Sequence, residues 1–234
     1  MVIKFHKKIK IRLMLTLMLA TLIALGVWQM QRLAWKTELL SRIDAQMQQP
    51  PEALPAEIAV PADWEYRNVD MAGDFDPKTV FWIKPRTENG KVGAHMLAGF
   101  RRTDSDLPVF VNLGFVPDHL MDKAAVPEAM QEVRGVVQIP YPSAFTPDND
   151  PVRGDWYWAD IPALAKAAGY AAVTPVIVTV PPHGQGYPAG FAVTANIRNN
   201  HLQYALFWFS MAAILLIVFT LSQREKPANP AKTE

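Results

Sequence analysis

Two long apolar runs bracket the chain, Ile11–Val27 and Leu202–Leu221, and between them hydrophobic and polar positions alternate only in short bursts. Each run falls in the range of about 17 to 25 residues that spans a hydrocarbon layer as a helix. After the first run, WQMQRLAWKTELLSRIDAQMQQ keeps helical spacing with no breaker before Pro50 and Pro51. It predicts a single helix running on from the span to about Gln49. PPEALPAEIAVPADW then reads as a Pro-rich connector. Beyond it, YRNVDMAG, TVFWIKPR, GAHMLAGFRR, PVFVNLGFV, VRGVVQIP, TPVIVTV and AGFAVTA are short β-branched or aromatic runs separated by Gly, Pro and Asp. One short helix, Ile161–Gly169, interrupts them, with Gly169 where a C-terminal cap falls.

These elements predict an α+β membrane protein, in which two transmembrane helices flank a mainly antiparallel, β-rich extracytoplasmic domain. The expected divisions are a basic N-terminus over 1–12 and a first span over 13–28 that continues as a helix to about 49. A β-rich domain over 50–198, a second span over 202–221 and a tail over 222–234 complete the layout.

Charge orients it. Lys4, Lys7, Lys8, Lys10 and Arg12 precede the first span with no acid among them. Arg224, Lys226 and Lys232 follow the second against Glu225 and Glu234, and the middle carries twenty acidic residues against fifteen basic. The positive-inside rule then puts both ends in the cytoplasm and the middle outside. The short lead before the first span leaves no room for an organelle transit peptide, so the expected home is a bacterial inner membrane, with the central domain periplasmic. A cleaved signal peptide is the competing reading, because Ala24–Gly26 loosely resembles a small-x-small cleavage site. Helical spacing straight through that site favours an uncleaved anchor.

Several classes of function drop out. The acidic middle argues against nucleic-acid binding. With no cysteine anywhere, disulfides, thiolate chemistry, Cys-based copper sites and covalently attached haem are excluded. There is no GxSxG elbow, P-loop, HExxH or GxGxxG. The five histidines, at 6, 95, 119, 183 and 201, lack ligand-like spacing. DND at Asp148–Asp150 reads as a turn, and so does GDFDP at Gly73–Pro77, with both its carboxylates solvated. Two helices are too few to enclose a transport pathway, and the short tail leaves no sensory output domain. The expectation is a protein that is not an enzyme and acts outside, in the membrane, or on a partner.

Two faces at the membrane edge carry the candidate chemistry. At about 100° per residue, Leu25, Arg32, Trp35, Lys36 and Leu39 fall within about 80° of Trp28. Indoles beside cations suit an interfacial anchor, and an arginine there also suits a cation–π contact or a grip on a carboxylate. On the second helix, Ala205, Trp208 and Ala212 fall within about 40° of His201, and Tyr204 within about 60°. Two alanines flanking Trp208 let another helix or a flat ligand approach closely. Asn199 or Asn200 is placed as the N-cap. His201 reads either as a hydrogen-bonded residue at the helix end or as a ligand for a haem iron. In the second case Arg32 or Lys36 would meet the propionates.

LGVWQMQRLAWK (Leu25–Lys36) resembles the exit of the first membrane helix in the Surfeit locus protein 1 (Surf/Shy) family, and NNHLQYALFWF (Asn199–Phe209) resembles its second-helix motif. EYRNVDMAGDF, VGAHMLAGF, NLGFVPDHL and FTPDNDPVRGDWYWAD lie between them, so the resemblance runs from about Leu25 to about Ile217. One departure is Leu113, where members usually carry an arginine after the asparagine of that block.

The resemblance implies an assembly factor for cytochrome c oxidase, a haem-copper terminal oxidase. Such a factor would bind haem a and assist its insertion into the catalytic subunit. It further implies His201 as ligand to the haem iron; on the helix faces read above, Tyr204 and Trp208 would then pack on the porphyrin and Trp28 and Arg32 would close the other side. Expected partners are the catalytic subunit, a haem a synthase and the lipid bilayer. The alternative is a haem-free scaffold that holds oxidase subunits in register. A hydrolase working around Asp155 and Asp160 is a further rival.

Overall fold

A computed structural model of the chain describes residues 2–127, 130–182, 186–194 and 199–223. His183, the tail beyond 223 and the side chains of Lys4, Lys7 and Lys8 lie outside the described residues. The chain divides into two compact units: α1 up to Arg42 together with α3, and a β unit that begins at Ile43.

The first helix, α1, runs Val2–Met47, and α3 runs His201–Gln223. Both are long and apolar enough to cross a membrane, over Ile9–Met47 and His201–Ser222, so the ends of the chain fit a membrane protein. Asn200 stands at the N-cap of α3, its carbonyl accepting the first helical bond from the Tyr204 amide at 3.2 Å. The last turn of α1 belongs to the β unit. There the Asn68 side-chain amide donates to the carbonyls of Met47 and Gln49, and so partners one of the orphan carbonyls that every helix end leaves.

In the β unit, β1 (Glu52–Ala53), β2 (Asn68–Glu88), β3 (Lys91–Arg102), β4 (Val109–Pro117), β5 (Glu132–Gln138) and β6 (Ile177–Thr179) form one sheet. Its order is β1-β2-β3-β4-β6-β5, and β5 returns to pair with the first residues of β2, which closes β2 to β6 into a ring. The sheet is mixed: four of its six pairings are antiparallel, while β1 runs parallel to β2 and β4 parallel to β6. Alternation along each strand sends one set of side chains inward. Val69, Met96, Phe100, Val111, Val133 and Val178 meet there, each fully buried.

A second apolar cluster lies on the outer face. Ile83, Leu97, Phe110 and Ile177 project outward and are covered by Trp156 and by Leu164 of α2 (Ile161–Ala168). The start of α2 is fixed by Asp160, whose carboxylate accepts from the Ala163 amide at 3.2 Å. Its end is fixed by Gly169, which sits in the left-handed region at φ 73°.

Three expectations change. YRNVDMAG and TVFWIKPR are not separate strands but one strand, β2, with an irregularity between Asp76 and Val80. The GDFDP segment is therefore strand, not a free turn. Asp76 is not solvated: Arg101 Nη2 donates to it at 3.1 Å and the Tyr170 hydroxyl at 3.2 Å. AGFAVTA contributes a single bridge, Ala189 to Phe115, and its described remainder forms no ladder. DND does turn, with Asp150 Oδ1 accepting from the amides of Val152 and Arg153.

Candidate functional site

The end helices carry the face that helical spacing singled out. On α3, Ala205 and Ala212 are buried and His201 and Trp208 half-buried, at positions 201, 205, 208 and 212, while the residues between them are exposed. On α1, among the described side chains up to Arg42, the buried positions are Leu22, Gly26 and Gln29, again three and four apart. Small residues bring the backbones close. A Cβ on Gly26 would stand 2.5 Å from the Phe209 ring, so only glycine leaves that ring its place.

This packing delivers Gln29 to His201. The Gln29 carbonyl oxygen lies 2.7 Å from His201 Nδ1. A carbonyl only accepts, so Nδ1 carries the proton and, in the neutral ring, Nε2 keeps its lone pair. Among the described residues Nε2 has no partner. A second partner that fixes tautomer and ring orientation is what metal-ligating histidines ordinarily have. No group of three or more His, Asp or Glu among the described residues is placed to hold a bare metal ion.

The other candidates sit elsewhere. Tyr204 and Trp28 are about half exposed, off the contact stripe. The Arg32 guanidinium lies over the Trp35 ring, 4.6 Å from its centroid, the cation–π contact that an interfacial anchor favours. Trp208 packs edge-to-face on Phe207 at 5.2 Å. The structure thus groups His201 with Trp208 and the alanines, and places Gln29, not Trp28 or Arg32, beside the imidazole. In sequence Gln29 is one of two amides, with Gln31, inside LGVWQMQRL, and only its spacing of three from Gly26 sets it on the packed side of the helix.

In the β unit, Leu113 is the extra residue of a bulge: Met96 pairs with Gly114 and Leu97 with Asn112. Its side chain is wholly buried among the inward-facing residues, where a guanidinium would lose its hydration. Asp160 is engaged as the α2 cap and Asp155 lies 3.6 Å from Lys84, so each has a structural partner. His95 Nε2 meets Glu88 at 3.0 Å and its ring stacks on Phe191 at 4.7 Å. Burial holds His95 below the ordinary histidine value, the Glu88 hydrogen bond works against that, and the Arg86 charge adds to the lowering.

Two apolar end helices joined through small residues, with a closed mixed sheet between them, define a helix-anchored β-domain protein. The sequence profile of the SURF1 family matches residues 16–213. Similar proteins include Surfeit locus protein 1 of Mus musculus, 32% identical over 85% of this chain and 71% of that protein. That of Homo sapiens is 31% identical over 85% of this chain and 73% of its own length. A SURF1-like protein of Monosiga brevicollis is 30% identical over 86% of this chain and 83% of its own. The chain belongs to the SURF1 family.

Proposed function

We propose that this chain is an assembly factor for a haem-copper terminal oxidase of the cytochrome c oxidase type, and that it holds haem a for insertion into the catalytic subunit. Family membership supports the class of role. The observation that carries the haem assignment is the Gln29–His201 pair, which leaves Nε2 of a half-buried imidazole with its lone pair free at the start of an apolar helix.

The cargo supplies an iron that accepts that lone pair. The chain's own residues do the rest. Gln29 holds the ring in one tautomer and one orientation, and Gly26 keeps the two helices close enough for it to do so. Ala205 and Ala212 are taken up in the helix contact, so a flat macrocycle would rest beside that stripe, against the half-buried Trp208. A single strong ligand on an open face suits a carrier that must release what it holds. In this reading the protein sits in a bacterial inner membrane with both ends cytoplasmic. Its periplasmic β unit docks on the catalytic subunit or on the haem a synthase.

The test is an absorption spectrum of the full-length protein co-expressed with haem a synthesis, beside His201→Ala and Gln29→Leu. A Soret band is expected in the wild type and should be lost or shifted in His201→Ala. Retention should weaken by about 10- to 100-fold in Gln29→Leu, the usual cost of losing a ligand's orienting partner. No haem in the wild type, with oxidase assembly unaffected by His201→Ala, would leave the haem-free scaffold as the reading.

A further inference from the structure

On the outer face of the ring, away from the Phe110 side of the α2 cluster, lies a cavity of about 190 Å³. An engineered cavity of about 150 Å³ takes benzene, so there is room here for a ligand of that size or the end of a longer one. Its floor is apolar, with Ile83, Leu97 and Ile177, and the Trp158 indole forms part of its wall.

Its polar lining comprises Arg86, His95, Asn112, Gln138 and Tyr141. Asn112 is 7% exposed, and its Oδ1 is already taken by the Gly114 amide at 3.1 Å. That leaves the Asn112 Nδ2 hydrogens with no partner among the described residues, on an atom that is not sealed from solvent. Gln138 repeats the arrangement: its Oε1 accepts from the Thr179 hydroxyl, and its amide nitrogen is left over. Arg86 also lines the cavity. Its two terminal nitrogens donate to the backbone carbonyls of Pro85 and Tyr157, at 2.8 and 3.1 Å, and no carboxylate pairs with it among the described residues. The Glu88 carboxylate is spent on His95, and no aspartate or glutamate lines the cavity.

A half-buried guanidinium without a counter-charge and two amide nitrogens without a protein partner are thus donors available to a ligand in the cavity. The group that would satisfy all of them is a planar anion with several acceptor lone pairs, and the apolar floor asks for hydrocarbon behind it. We propose that this cavity binds a carboxylate carried on a short apolar body. That chemistry has two sources, a free small acid and the C-terminal residue of a polypeptide. The proposal is independent of the haem assignment, since every residue it uses lies in the β unit.

The experiment is calorimetric titration of the full-length protein with isovalerate, with acetyl-Gly-Leu, and with the C-terminal amide of that dipeptide. Isovalerate should bind and the amide should not. Asn112→Asp keeps the acceptor for Gly114 but replaces the donor with a like charge, and Arg86→Gln removes the cation. Each should weaken the acid by about tenfold or more. Binding of isovalerate alone would support a free acid as the ligand, and binding of acetyl-Gly-Leu in addition would support a chain end. Either acid binding with unchanged affinity to Arg86→Gln would overturn the proposal. So would equal binding of the amide, or no heat with either acid, and these two results need no variant to fold.

Discussion

His201 and His95 are held through opposite ring atoms, and the difference sets what each can do. A neutral amide oxygen grips His201 at Nδ1 and leaves Nε2 free, whereas a carboxylate meets His95 at Nε2 and Phe191 covers its face. Burial lowers the folded-state value of His95, so protonation favours the unfolded chain, whose histidine keeps its ordinary value near 6.5. The stability at stake is present above that value and is lost as pH falls below it, down to the depressed folded value. Denaturant midpoints should therefore drop between about pH 7 and pH 5, and the drop should be smaller in His95→Gln. An unchanged slope in the variant would refute this account. Asp76 acts in a lower window. Burial opposes its ionisation, but bonds from the Lys78 amide, Arg101 and Tyr170 outweigh that and hold it below the usual carboxylate range. At this scale the sequence pointed to His201 through its place at the edge of an apolar run. It did not point to Gln29, His95 or Asp76, because each gains its meaning from a partner on another element.

Helices were the most readable elements, since their signals are local. The spacing of His201, Ala205, Trp208 and Ala212 marked the packed stripe of α3, and Gly169 marked the end of α2, whereas Asp160, weighed in sequence only for hydrolase chemistry, caps its start. That reading has a measurable consequence. Asp160→Ala should cost about 1 kcal/mol through the lost cap. Gly169→Ala should cost about 1–2 kcal/mol, because a Cβ is disfavoured in the left-handed region. Chemical denaturation of the full chain measures both, and a neutral Asp160→Ala would mean that the 3.2 Å contact carries no weight. Strands were less readable. Two runs fused into β2 because Pro77 and Lys78 are absorbed at an irregularity, whereas a proline in sequence reads as an interruption. TPVIVTV gave only the three residues of β6, since its pairing with β4 and β5 brings together segments 41 and 67 residues apart, as the Thr179–Gln138 and Thr174–Leu107 bonds show. No local pattern encodes such distant partners.

For the whole molecule, the absence of cysteine turns the charge argument into an experiment. Val152 is almost fully exposed in the β unit, and Ser222 closes the second apolar helix. In spheroplasts, a membrane-impermeant maleimide should label Val152→Cys at once and Ser222→Cys only after the bilayer is broken. Labelling of Ser222→Cys in intact spheroplasts would overturn the proposed topology. The ring of strands carries one further consequence. Its closure is local: β5 pairs back onto β2 only over its first five residues, and beyond Gly73 the other side of β2 meets a single bridge, Ile83 to Trp156, among the described residues. That stretch keeps a row of backbone donors and acceptors on one side, which is where a partner could lay its own strand in register.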